Sequence, residues 1–480
     1  MAWIEKFTFR IFFWVIIPIL SFSLLFPPNA PALTIQEERE LGEKIFQEVK
    51  KRWSLVQELS VNEYISGIGR RILQPLGPQP FDYQFYIINS PEINAFAVPG
   101  GKVFLNSGLI LLVENEDELA GVIAHEIGHV VARHIAKRGE KAMKVSLAAL
   151  GAILAGIFLG GQAAGAIATT TMAASETALL KYSREDEEEA DYLGLKFMNQ
   201  AGYARWGMVT MLKKLRRMQG PASSDPPTYL VTHPAIEERA ADLEIQMARF
   251  PQEKESHKPT GNLKRIQTKL TAEEKDVSRS VTYFENWLKR TPDEPEAFFG
   301  LGLAQKRMGG LDRAIESFSR ATSLAPQDGE ILRELGTTYL LKANLPEAQK
   351  YLERARFLSP RDPLIYFYLG RVYAEQKLLD EALQALLRAR ELDPNLSGIY
   401  YHLGMAYGAK NMLGPAYQNF GYHYKAMGDP KTALIHFQRA LSYFNEQAPE
   451  RQAIQKEIQD LSPQKKNLDR KNLLLGGNRG

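Results

Sequence analysis

The fold class the sequence predicts is an α+β domain, mainly helical with a small sheet, followed by an all-α solenoid of stacked helix pairs. Two observations predict it. Between residues 81 and 136, short segments of alternating apolar and polar side chains give way to one long segment of helical period. From residue 292 onward, Pro292, Pro326, Pro360 and Pro394 recur at one constant interval, and Gly302, Gly336, Gly370 and Gly404 share it with Ala314, Ala348, Ala382 and Ala416. Three residue classes on one period, that of a tetratricopeptide unit at about 34 residues, mark a tetratricopeptide array. Small residues sit where paired helices cross, proline ends the second helix, and each pair must stack on its neighbour to bury its apolar face.

The elements follow in order. Residues 36–73 show helical spacing, with Ile45, Phe46, Val49 and Trp53 between charges. Residues 81–88 alternate as a strand does, and 94–98 and 103–106 are further extended pieces joined by Pro99-Gly100-Gly101. Residues 116–136 read as a long helix with acids in its first turn, where the helix dipole favours them. The stretch 145–175 carries no charge and is rich in Ala and Gly, readable as a cover over a cleft or as a membrane-contacting segment. Helices are predicted from Ser183 towards Gln200, over 206–218 and over 235–247. The domain boundaries drawn are 1–32 for a signal peptide or anchor, 33–250 for the first domain, 251–277 for a linker, 278–445 for the repeats and 446–480 for a polar tail, readable as disordered. Gly421, Ala433, Phe437 and Ala440 repeat the spacing of Gly302, Ala314, Phe318 and Ala321 but start half a period after Gly404, which predicts one more pair in an altered register, as a cap.

Bulk properties exclude several functions. Fifty-nine basic residues against fifty-six acidic ones give a net charge of +3, so nothing supports a nucleic-acid partner. The absence of cysteine rules out disulfides, thiolate metal sites and a cysteine nucleophile. Lys6 and Arg10, the apolar run 11–26 and Ala30-Pro31-Ala32 are the parts of a secretory signal, cleaved or retained as an anchor. The expected location is therefore outside the cytoplasm, in the periplasm or on the periplasmic side of a membrane.

The residues that carry chemistry are His125-Glu126-Ile127-Gly128-His129. Residues four apart share a helix face with Cβ atoms roughly 5–6 Å apart, so both imidazoles can reach one metal ion with Glu126 beside them. Zinc held by three protein ligands keeps a fourth position for water, lowers the pKa of that water to about 7 and polarises a carbonyl. A third ligand is needed, and the run from Ser183 to Asp191 supplies carboxylates. Most of such a run is a solvated face, but Glu187 and Asp191 are four apart and share one side. If Glu187 binds the metal, Asp191 can hydrogen-bond a ligand imidazole. His134, five residues past His129 on the same predicted helix, faces elsewhere and is left out of the site.

This HEIGH motif, with an Arg-x-x-Glu-x-x-Ala-Asp pattern some sixty residues later, resembles the zincin-like metallopeptidase family that includes HtpX, Oma1 and the CAAX prenyl endopeptidases. Asn94-Ala95-Phe96-Ala97, Pro99-Gly100-Gly101 and Gly108-Leu109 are similar to the segment before that family's active-site helix. The resemblance implies one zinc per chain on His125, His129 and Glu187, with Glu126 as general base. It implies that His233 faces the metal, stabilising the transition state or filling the open position in a resting form. Asp191 and Arg239 would support the ligands, and Asn94, Ala95, Phe96 and Ala97 would pair with an extended substrate. Manganese or cobalt would suit the same donors. The uncharged stretch 145–175 is longer and more apolar than the family's pattern leads one to expect.

The implied function is a zinc metalloendopeptidase of the bacterial cell envelope acting on misfolded or stalled polypeptides. Its repeats would recruit substrate or protein partners, among them the outer-membrane β-barrel assembly machinery. Two other readings stand beside it: a chaperone or assembly scaffold whose peptidase is gated by His233, and a membrane-bound protease of the prenyl-protein type.

Overall fold

The computed structural model describes residues 33–138, 182–218, 227–248 and 260–476, and side chains as far as residue 462. The expected signal or anchor, the uncharged stretch 145–175 and most of the polar segment after residue 248 lie outside the described residues. Among the described residues no helix is long and apolar enough to cross a membrane. The chain divides into two units at Lys275–Asp276.

The first unit opens with α1 (Ile35–Arg52), started by a capping box between Thr34 and Glu37, and α2 (Leu59–Leu73). A three-stranded sheet follows, in the order β1 (Gln84–Ile88), β3 (Lys102–Asn106), β2 (Ala95–Val98). β1 is parallel to β3 and β2 antiparallel to it, so β2 is an edge strand. Every residue of β2 and β3 is buried because both faces are covered. Ala95, Ala97, Val103 and Leu105 join the main core, whereas Phe96, Val98 and Phe104 pack with Leu41, Ile45 and Val49 of α1.

After α3 (Ser107–Leu112) comes α4 (Glu116–Val131), capped by the side chain of Asn115. It runs through the core, with every residue from Glu118 to Val130 buried. The predicted helix over 116–136 is thus shorter. It ends where Arg133 adopts φ 56°, a left-handed conformation that reverses the chain. The guanidinium there is anchored by the buried carboxylate of Glu38 and by Leu33 O at 2.5 Å. The unit is completed by α5 (Arg184–Ala201), α6 (Trp206–Met218), α7 (Thr228–Thr232), α8 (Ile236–Ala248) and α9 (Leu263–Ala272). α9 falls in the stretch read as linker, yet Ile266 and Leu270 belong to the main core.

The second unit starts with α10 (Val277–Arg290) and continues as antiparallel pairs: α11 (Pro295–Arg307) with α12 (Leu311–Leu324), α13 (Gly329–Leu341) with α14 (Leu345–Leu358), and α15 (Pro363–Glu375) with α16 (Leu379–Leu392). In each, a large side chain of the second helix lies where a Cβ on the first helix's glycine would fall: Phe318 on Gly302, Leu352 on Gly336, Leu386 on Gly370. The last helices are α17 (Ile399–Ala409), α18 (Leu413–Ala426) and α19 (Pro430–Leu441). Phe420 of α18 closes on Gly404 of α17, and Gly421 of α18 receives Phe437 of α19. The half-period slip is therefore one shared helix, second member of one pair and first of the next. The polar tail is helical as well: α20 (Pro449–Gly476) buries Ile454 and Leu461 against Ala433 and Phe437.

Successive first helices are tied by charge. Glu334 on α13 pairs with Lys306 on α11, and its neighbour Arg333 pairs with Asp362 at the start of α15. Burial would raise the Glu334 carboxyl, but Lys306 and Arg333 outweigh it and hold the pKa at about 2, against an ordinary 4.5. A depressed acid stabilises the fold above its unfolded pKa, and the effect fades as pH falls through the folded value. Glu334→Gln is therefore expected to lower the urea stability of this unit by on the order of 2 kcal/mol at neutral pH. The gap to wild type should shrink steadily below pH 4.5 and close near pH 2.

Candidate metal centre

Helix α4 holds His125, Glu126 and His129 on a rigid buried rod, at 2%, 0% and 2% exposure. Helix α5 crosses it at close range because small residues meet there. A Cβ on Gly128 would lie 2.9 Å from Ala190 O, and one on Gly194 would lie 3.2 Å from His125 N. Glu187, one turn before Ala190, is thereby brought against both imidazoles. In the acidic run only Glu187, Ala190 and Asp191 turn inward, while Glu185, Glu188 and Glu189 are exposed.

His233 ends α7. Its N–H donates to Tyr229 O at 2.9 Å, and the Tyr229 ring stacks on its imidazole at 4.3 Å. The result is a compact donor set: single atoms of His125, His129, Glu187 and His233 all lie within 4.8 Å of one another. His125 Nε2 is 3.0 Å from His129 Nε2, and each of these nitrogens is 3.4 Å from a Glu187 oxygen. Zinc bonds of roughly 2.0–2.1 Å in a tetrahedron place ligand atoms about 3.3 Å apart, and each nitrogen stands close to that distance from one of the two Glu187 oxygens.

The outer hydrogen bonds agree. His125 Nδ1 donates to Asp191 Oδ1 at 2.8 Å, which leaves its Nε2 lone pair facing inward. Arg239 clamps Asp191 with Nε to Oδ2 at 2.7 Å and Nη2 to Oδ1 at 2.8 Å, and its Nη1 pairs with Glu187. Burial would raise both carboxyls. Arg239 outweighs it at Asp191, held at about 2, and His233 with Arg239 outweighs it at Glu187, held well below the usual carboxylate range. Burial also opposes charge on His125, yet the hydrogen bonds to Asp191 and Glu187 hold its pKa up to about 9. Burial pushes His129 well down, as suits a neutral ligand imidazole. Glu126 differs. Burial pushes its carboxyl up, and neither oxygen is hydrogen-bonded among the described residues, His233 Nε2 being 3.5 Å away.

The edge strand lies beside these groups. Asn106 N donates to Asn94 O at 2.9 Å, and Phe96 pairs with Phe104. The backbone groups of Asn94 and Phe96 therefore turn toward β3, and those of Ala95 and Ala97 turn outward. Tyr182 bridges strand and centre: its hydroxyl donates to Ala97 O at 3.4 Å and its ring stacks on His129 at 3.6 Å.

Every residue singled out in the sequence thus falls in the core around one point or on the adjoining strand. One was missed. His134, read as facing away, is buried with its Nδ1 2.8 Å from His129 Nδ1. The helix stops before it, so the argument from a continuing helix does not apply. The available signal was basic: Arg133, Lys137 and Arg138 follow the apolar run as they do at helix ends.

Residues 60–246 match the model of peptidase family M48, and residues 273–329, 299–348 and 333–397 match a tetratricopeptide repeat. The chain is 35% identical over 214 residues to the beta-barrel assembly-enhancing protease of Escherichia coli K12, covering 44% of each chain. It is 29% identical over 215 residues to the mitochondrial metalloendopeptidase OMA1 of Schizosaccharomyces pombe, covering 44% of this chain and 61% of that one. The match thus spans less than half the length of the first of these relatives. YrrB, a solved tetratricopeptide protein with a peptide-binding site, is similar at 20% identity and a TM-score of 0.28 over 38% of this chain and 87% of its own, a likeness that carries no argument.

Proposed function

We propose, starting from a chain whose residues 60–246 are a peptidase family M48 domain and whose residues 273–397 carry tetratricopeptide repeats, that it is a zinc-dependent endopeptidase of the bacterial cell envelope. The observation that carries the reading is the buried quartet of His125, His129, Glu187 and His233, with the Glu126 carboxylate, unbonded among the described residues, beside it. His125, His129 and Glu187 would hold the ion. Zinc, when bound there, supplies the Lewis acid that polarises a peptide carbonyl and makes water acidic near neutral pH. Glu126 takes the proton from the attacking water and returns it to the leaving amine; burial raises its pKa toward the range such a base needs. Asp191 and Arg239 keep the ligands oriented, and the outward groups of Ala95 and Ala97 pair with an extended substrate.

Its substrates in this reading are misfolded or stalled envelope proteins, with the repeats recruiting them or an assembly partner; the envelope setting is supported by the relative named as a beta-barrel assembly-enhancing protease. Purified protein is expected to contain near one zinc per chain and to cleave casein, with cleavage lost to a chelator and restored by zinc. Protein without zinc, or cleavage indifferent to chelation, would sink the reading.

A second role for His233 is favoured by its position. Its Nδ1 lies 3.0 Å from Glu187 Oε1 and 3.4 Å from His125 Nε2, within reach of a fourth metal position. As a gate, it would keep the peptidase shut, and His233→Ala would raise casein cleavage. As a donor to the developing oxyanion, its loss would lower kcat by about 10²–10³-fold. The direction of change in that one variant decides between them.

A further inference from the structure

We propose that His134 is a positioning residue of the metal centre: it accepts the Nδ1 proton of His129 and so fixes the tautomer that points the His129 Nε2 lone pair at the ion. The proposal rests on reading His125, His129 and Glu187 as zinc ligands.

Two facing Nδ1 atoms at 2.8 Å share one proton. Its owner is set from the far side of the His134 ring. His134 Nε2 lies 3.1 Å from Glu189 Oε2 and 3.7 Å from Asp186 Oδ1. Carboxylates only accept, so that nitrogen carries its hydrogen, and the neutral ring then offers a lone pair at Nδ1. His129 must donate, which leaves its own Nε2 bare, 3.0 Å from His125 Nε2 and 3.4 Å from Glu187. A chain of hydrogen bonds thus runs from Glu189 through His134 to His129, the counterpart of the shorter link from Asp191 to His125.

The backbone is arranged to allow it. The left-handed turn at Arg133 folds residue 134 back under α4, and the Glu38 ion pair holds that turn. His134 N also donates to His129 O at 3.2 Å, so main chain and side chain of the two histidines are tied together. The two ligand imidazoles are therefore oriented differently, one by a carboxylate locked by arginine, the other by a neutral ring backed by Glu189, whose side chain is 48% exposed.

The test is zinc affinity of the full chain, measured by competition with a chromophoric chelator, alongside melting of the metal-free proteins. His134→Phe keeps the ring and removes the acceptor; zinc binding is expected to weaken by about 10–100-fold. His134→Asn places an amide oxygen near the Nδ1 position and should recover affinity to within about threefold of wild type. Unchanged affinity in His134→Phe would overturn the proposal. So would equal weakening in both variants while their metal-free forms melt like wild type. If His134→Phe does not fold, Glu189→Ala carries the test: weakened zinc binding supports the chain of hydrogen bonds, and unchanged binding overturns it. Wild type that binds no zinc would instead defeat the metallopeptidase reading from which the proposal starts.

Discussion

Glu126→Gln is expected to cut peptide hydrolysis by roughly 10³-fold or more while leaving zinc content at the wild-type level. The two halves of that result have separate causes. Glu126 is not among the four residues whose donor atoms converge, so removing its charge takes no ligand away. It is the one carboxylate of the centre that burial pushes up in spite of the histidines and arginine around it, and glutamine of the same shape cannot take a proton. An uncharged amide is also cheaper to bury than a carboxylate without hydrogen bonds, so the variant should melt at or slightly above wild type. Retained hydrolysis would place the base elsewhere. Loss of zinc together with activity would make Glu126 part of the metal's own shell.

Arg239→Met should destabilise the first unit by about 3–5 kcal/mol. The guanidinium, 3% exposed, gives three nitrogens to two buried carboxylates, Asp191 and Glu187. Removing it leaves Asp191 only the His125 Nδ1 hydrogen and Glu187 only the histidines around it. For a unit of this size the loss corresponds to a fall in Tm of roughly 10 °C, read by calorimetry on metal-free protein. Saturating zinc should recover part of it, because the ion then balances Glu187, whereas Asp191 keeps only its hydrogen bond from His125. Arg239→Lys is expected to fall between the two, since one ammonium cannot span the three contacts. A variant that melts like wild type would mean the carboxylates are neutralised in some other way.

How far the centre could be read from the chain depended on what fixes each residue. The four-residue spacing of His125 and His129 fixes their shared face as soon as a helix is granted, whereas the spacing of the acidic run shows only that Glu187 and Asp191 share a side, and the family pattern is what singles out Glu187. The position of Arg239 could be taken only from a family pattern, since nothing local tells a buried arginine on α8 from a surface one. His134 escaped because a left-handed non-glycine residue ended the helix sooner than its periodicity suggested. Helices α9 and α20 escaped for a different reason. Their large apolar side chains in the core are few among the described residues, Ile266 and Leu270 in one, Ile454 and Leu461 in the other, and tertiary contact rather than composition holds them.

The shared helix α18 sets a rule for how this array could have grown. Upstream of Gly398, inserting or removing one whole repeat returns every glycine to a partner on the helix that follows it. Beyond it, Phe420 and Gly421 sit side by side in the chain but answer to opposite neighbours, Gly404 and Phe437. A tandem copy of α18 alone would restack the same way, its Phe420 on the Gly421 before it, so past Gly398 this pairing extends by single helices, whereas upstream it extends by pairs.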